Sequence, residues 1–377
     1  KRVAAVTSTN VGALNSDQVA ALTTAQVGTL DTAQVKAITT TAVAAMTNAQ
    51  VTAMSTTQVA ALTTGQMAAL TANEVKALST SQVQALGSTQ VNALTNANIA
   101  AMTTTQVASL TAGQVTGLST AAAASLVTAQ VQALSTSQVQ AISTANVAAM
   151  SSTQLSALTT GQVAALTNAQ VGKLTTTQVA ALSAKQIVGM ETADLAALSS
   201  DQLQSLSASA VAALSTAQVA SITTAQISKL TANQVKALSS TQVAALTEAQ
   251  VGELTTAQVS VLSATQVKAL VTADVAKLST AQIQAVTASA VAAMSTAQVK
   301  ALTTTQAEKL TAGQVASLSA TQVAGLETED LAKFSSSQLQ ALNATTVAAL
   351  STAQVAALTT AQIDKLTATQ VKALTTA

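Results

Sequence analysis

The chain has 377 residues, room for about two ordinary domains, but it contains no Cys, His, Trp, Tyr or Pro and a single aromatic side chain, Phe334. That alphabet excludes thiolate and imidazole chemistry, disulfides and nitrogen- or sulfur-ligated metal sites, and so argues against an ordinary enzyme. Its 15 basic and 14 acidic side chains leave a net charge of +1, and its 49% hydrophobic residues are interrupted every few positions, so there is no basic field for nucleic acid, no polybasic membrane patch and no apolar run near the ~18 residues of a spanning helix.

From Thr7 the chain reads as 46 consecutive octads that end at Leu374, with the consensus [ST]-[TSA]-x-Q-V-x-A-L and typical members such as 351–358. Residues 1–6 read as the tail of a preceding octad and 375–377 as the start of another. The expectation is therefore one continuous octad array over 1–377, cut from a longer one, with no secretory leader in it. Position 1 is Ser or Thr in 38 octads, position 4 is Gln in 34, and position 8 is always Leu, Ile, Met, Val or Phe. Positions 1, 4 and 8 are thus the constrained ones, while position 6 varies as a solvated surface does.

One unbroken helix would rotate corresponding residues by about 80° per octad. Val and Leu would then wind around the whole surface and leave no stripe to bury. A helix that restarts in every octad fits better. Ser/Thr at position 1 and Gln at position 4 form a capping box, and the preceding Leu with the following Val forms a hydrophobic staple. Each octad is expected to be helical over roughly positions 2 to 7 and to join the next through an extended Leu-Ser/Thr corner that needs no glycine. Helices this short are marginal alone, so each octad must stack on others. The fold class predicted is all-α, a solenoid with Val and Leu inside, Ala at the close contacts and Ser, Thr and Gln outside. The alternative is a β-solenoid, because Thr and Val favour strands.

The exceptions follow in chain order. Asn15, Asp31 and Gly87 replace the position-1 hydroxyl with other acceptable caps, and Val127 is a true violation. At 191–206, Glu191 and Asp194 open a block that recurs as Glu327, Glu329 and Asp330 at 327–342, 136 residues or 17 octads later. Val271, a second violation, opens a weaker copy, with Asp274 at position 4. Lengths change by whole octads, which fits slippage of a modular array. Asn343 is a further acceptable cap and starts the one acceptor sequon, Asn343-Ala-Thr345.

Four features could carry function, and each has a plainer reading. Glu191/Asp194 and Glu327/Glu329/Asp330 could ligate a cation, but acids also belong in a first helical turn. Lys173, Lys229, Lys277, Lys309, Lys333 and Lys365, all at position 7, could form a ladder for an anionic partner, yet their spacing is irregular and suits side chains snorkelling from an edge. A Ser–Lys nucleophile would need a clustered partner and an oxyanion motif that the sequence does not show. The Thr-rich position 2 could order water, ice or glycan, whereas capping explains position 1 only. No catalytic, cofactor or metal-binding residue is assigned and no cofactor is expected.

The repeated text LTTAQVAAL resembles the Ala/Thr-rich octapeptide tracts of very large secreted or surface proteins of Gram-negative bacteria, described as adhesin-like or extracellular-fibre proteins. That resemblance implies an extended, non-catalytic, extracellular or cell-surface element and supplies no binding residues. The expected function is a structural filament or surface rod that self-associates end to end or side by side. The motive is that neither end carries the polar capping repeat solenoids ordinarily need. An adhesin stalk, or a solenoid that contacts ice, glycan or another surface through a Thr/Ser face, is the alternative.

Overall fold

A computed structural model describes residues 6–374, so the expectations placed on 1–5 and 375–377 lie outside the described residues. It contains 46 α-helices, one per octad, from Ser8–Gly12 to Ala368–Leu374, and no strand among the described residues. The fold is the helical solenoid, and the β alternative is set aside. The chain divides into two compact units, Lys1–Met190 and Glu191–Ala377. Both are built in the same way.

The octad 255–262 shows why the element forms. Thr255 is extended at φ −73°, ψ 158°. Its Oγ1 accepts from Gln258 N–H at 3.2 Å, and Gln258 Oε1 accepts from Thr255 N–H at 2.7 Å. The reciprocal box starts the helix Thr256–Ser260, which ends as Leu262 N–H bonds Val259 C=O at 3.1 Å. Where the helix runs a residue longer, two successive extended residues make the corner, as at Leu238 (φ −60°, ψ 137°) and Ser239 (φ −69°, ψ 160°). No described residue has positive φ, so the corner is made by ordinary β-region backbone.

Within each unit a helix packs on the third helix after it, as Thr24–Gly28 does on Asn48–Ala53 and Ala208–Ala213 on Ala232–Ala237. Hydrogen bonds between successive turns span 25, 28 and 31 residues. The chain therefore returns over itself after more than three and fewer than four octads. At the 28-residue span, a helix residue in one turn bonds a corner carbonyl of the turn beneath, as Gln58 does to Leu30. Val at position 5 and the apolar residue at position 8 fill the interior: Val243 is 0% and Leu246 6% exposed. Phe334 takes a Leu position and Met67 a Val position, both buried. Burying one Val and one Leu contributes ~1.5–3 kcal/mol each, which an isolated octad could not realise.

One placement differs from expectation. Position-4 Gln is not on the outside with Ser and Thr; from Gln34 to Gln370 it is buried in almost every octad that carries it. The physical reason is that its amide serves two helix ends at once.

Candidate functional site

The most distinctive arrangement in the molecule is this buried amide ladder. Gln58 Oε1 accepts from Ser55 N–H at 2.7 Å, while its Nε2 donates to Val27 C=O at 2.9 Å and Leu30 C=O at 2.7 Å in the turn beneath. Gln66, Gln82, Gln226 and Gln314 repeat the pattern on their own counterparts. A helix start leaves N–H groups unpaired and a helix end leaves C=O groups unpaired, and one Gln satisfies both, on different turns. Asn98 and Asn146 are shorter by one methylene and reach only the corner carbonyls of Leu70 and Leu118, at 2.7 and 2.8 Å. The capping half of this role was legible from Ser/Thr-x-x-Gln. The bridging half required knowing how many octads make a turn, which the sequence pattern does not contain.

An outer set of bonds runs 25 residues forward. Position-2 serines donate to the next turn, as Ser16 Oγ does to Thr41 C=O at 3.2 Å. Long position-6 side chains do the same: Asn92 Nδ2 reaches Gly117 C=O at 2.6 Å and Gln204 Nε2 reaches Lys229 C=O at 2.8 Å. Position 6 is therefore a clasp on the outer face at some octads, Asn92, Gln204 and Gln340 among them.

The acidic clusters are split by burial. Glu191, Glu327 and Glu329 are exposed, whereas Asp194 and Asp330 are 2% exposed. Asp194 Oδ2 accepts from Glu191 N–H at 3.1 Å, the capping role expected of position 4. The carboxyls of each cluster are thus divided between exposed and buried environments, and no group of three or more acidic, His or Cys side chains among the described residues is placed to hold a metal. Glu74 and Asp274 are also buried at position 4. Burial pushes all four of these carboxyls above their ordinary values. Glu329 is shifted the other way, lowered by its own backbone N–H and by the Thr328 hydroxyl at 2.9 Å.

The six position-7 lysines are exposed. Lys277 approaches Glu248 at 3.7 Å and Lys309 approaches Glu308 at 3.0 Å, with all four side chains well exposed; such pairs contribute ~0–1 kcal/mol. Asn343 is exposed and uses its Oδ1 to cap its helix, accepting from Thr346 N–H at 3.0 Å. Position 1 to position 3 forms an exposed band rich in hydroxyls, as at Ser55, Thr56 and Thr57. No helix is long and apolar enough to cross a membrane among the described residues.

Comparison with known families places these features. The family described as ALTTAQ repeat matches residues 3–32, 27–64, 59–96, 136–168, 187–224, 269–304, 323–360 and 347–376, more than half of the chain. The chain belongs to the ALTTAQ-repeat family. No curated protein matches it. The string that gives the ALTTAQ repeat its description occurs intact at 357–362, where it covers positions 7, 8, 1, 2, 3 and 4. It is the corner, the cap and the bridging Gln, the joint of the octads that carry Gln at position 4.

Proposed function

We propose that this ALTTAQ-repeat chain is a non-catalytic structural protein that forms an extracellular filament or surface rod. The observation that carries the reading is the Gln ladder: turn after turn, the buried polar chemistry is spent on joining one turn to the next. The resemblance of the octads to tracts of bacterial surface and fibre proteins supports an extracellular or cell-surface setting.

Electron microscopy of the purified protein at several concentrations tests this. Uniform fibres that lengthen with concentration are the expected result; particles of single-molecule length at every concentration would refute self-assembly. The exposed hydroxyl band favours a second reading, a stalk or spacer that meets ice, glycan or another surface. Retention on such a surface, lost on Thr→Lys changes at position 2 and kept on changes at position 6, would favour that role.

A further inference from the structure

Glu74 is the one glutamate at position 4, in an octad, 71–78, otherwise close to consensus. It is 1% exposed. Its Oε2 accepts from Thr71 N–H at 2.6 Å, as a Gln oxygen would. Its other oxygen, Oε1, is buried with no hydrogen-bond partner. The octads on either side show what stands there. Gln66 Nε2 donates to Val35 and Ile38 at 2.8 and 2.7 Å, and Gln82 Nε2 donates to Val51 and Met54 at 3.0 and 2.7 Å. Glu74 Oε1 takes the place of that amide nitrogen, and the same 31- and 28-residue register assigns it the carbonyls of Val43 and Met46 as its counterparts. An ionised carboxylate would set acceptor against acceptor.

We propose that Glu74 is a proton latch: in the folded turn it is the neutral carboxylic acid, whose O–H donates to the backbone carbonyl of Met46 in place of the Gln amide, and loss of that proton opens the joint between the two turns. The neutral acid is nearly isosteric with Gln and restores a donor where a donor is needed. A cation is the other way to reconcile facing oxygens, but the neighbouring spacing of 2.7 Å is a hydrogen-bond distance. It leaves no room for an ion with oxygen ligands about 2.3–2.6 Å away on both sides.

Nothing nearby compensates an ionised form. The helices Asn48–Ala53 and Asn96–Ala101, which pack against Ala72–Ala77, carry no titratable side chain, and neither does Thr40–Val43. Lys76, on Glu74's own helix, is exposed. Desolvation accordingly raises the Glu74 carboxyl above its ordinary 4.5 and outweighs the lowering by its bonds to Thr71. The folded state then holds the proton at a pH where the unfolded chain has released it to water, so stability falls as pH rises. It is fully present below about 4.5 and is lost as pH climbs through the folded-state value.

The test is a carbon-detected titration of the Glu74 carboxyl in the full chain. It is paired with amide exchange of residues 43–46 and 71–77 between pH 4 and 8, corrected for intrinsic rates, in the native chain and in Glu74→Gln. The expected result is a carboxyl that titrates above 4.5 and protection that drops up to tenfold per pH unit beyond that midpoint, with Glu74→Gln protected equally at all pH. A midpoint at or below 4.5, or an equal pH dependence in Glu74→Gln, would overturn the proposal. Because Glu74→Gln restores the consensus residue, misfolding of the variant is not the expected obstacle, and the titration of the native chain is decisive without it.

Discussion

A position-4 glutamine does at one residue what helical proteins usually divide among a cap, a C-terminal glycine and water. Truncating it should therefore cost more than losing a cap. In Gln258→Ala, Thr255 N–H loses its acceptor and Leu230 C=O its donor. Unsatisfied buried groups cost ~1–3 kcal/mol each, so the local opening free energy of that turn should fall by about 3 kcal/mol. Thr255→Ala, which removes only the cap, should cost about 1 kcal/mol. Amide exchange across 227–230 and 255–262 measures both. The converse holds at Val127, a 44%-exposed N-cap whose N–H is bonded by Gln130 at 2.8 Å but which offers no cap of its own. Val127→Thr should stabilise its turn by about 0.5–1 kcal/mol, read as a higher denaturant midpoint. Where the array lacks the Gln, another side chain can stand in: in the octad of Ala122, Ser119 N–H is bonded by Asn92 Oδ1 at 2.7 Å from an earlier turn.

For each element, the limits and the burial pattern were legible because they are local. The capping box, the staple and the Leu-Ser/Thr corner need only eight residues of information, and the structure places the helices Thr24–Gly28 and Thr80–Ala85 as those signals imply. What stayed hidden depends on the neighbouring turn, namely the inward side of Gln58, the clasp at Asn92 and the register of 25, 28 and 31 residues. The glycines make the same point. Gly161 and Gly117 look alike in a list of scattered glycines, yet a Cβ at Gly161 would meet nothing within 4 Å while one at Gly117 would sit 2.6 Å from the Ser88 Cβ of the turn beneath. Gly161→Ala should thus stabilise its helix by about 0.5–1 kcal/mol through propensity alone, and Gly117→Ala should destabilise by forcing two turns apart. Opposite shifts of the thermal midpoint in the two variants are the expected outcome; equal shifts would show that the turns do not approach as described.

Across the array, the same joint in most octads makes the array indifferent to which octad occupies a place. Within the unit Glu191–Ala377, Gln266 bridges to Val235 and Leu238. If residues 255–262 were deleted, Gln266 would meet Ile227 and Leu230 instead, the carbonyls that Gln258 now uses. Every later octad would likewise find a position-5 and a position-8 carbonyl of the right kind. Deleting only 255–258 would instead set capping residues against core positions in each following turn until the register recovered. The octad deletion should therefore keep the helical circular dichroism per residue and nearly the same unfolding midpoint, as nearest-neighbour stability in a solenoid requires. The half-octad deletion should lose amide protection over several octads on either side. Equal damage from the two deletions would mean that specific octads, not the repeated joint, hold the turns together. Tolerance of whole octads also accounts for the block at 191–206 and its copy at 327–342, which lie an integral 17 octads apart: insertions and losses of complete octads leave every Gln with its two carbonyls, and other lengths do not.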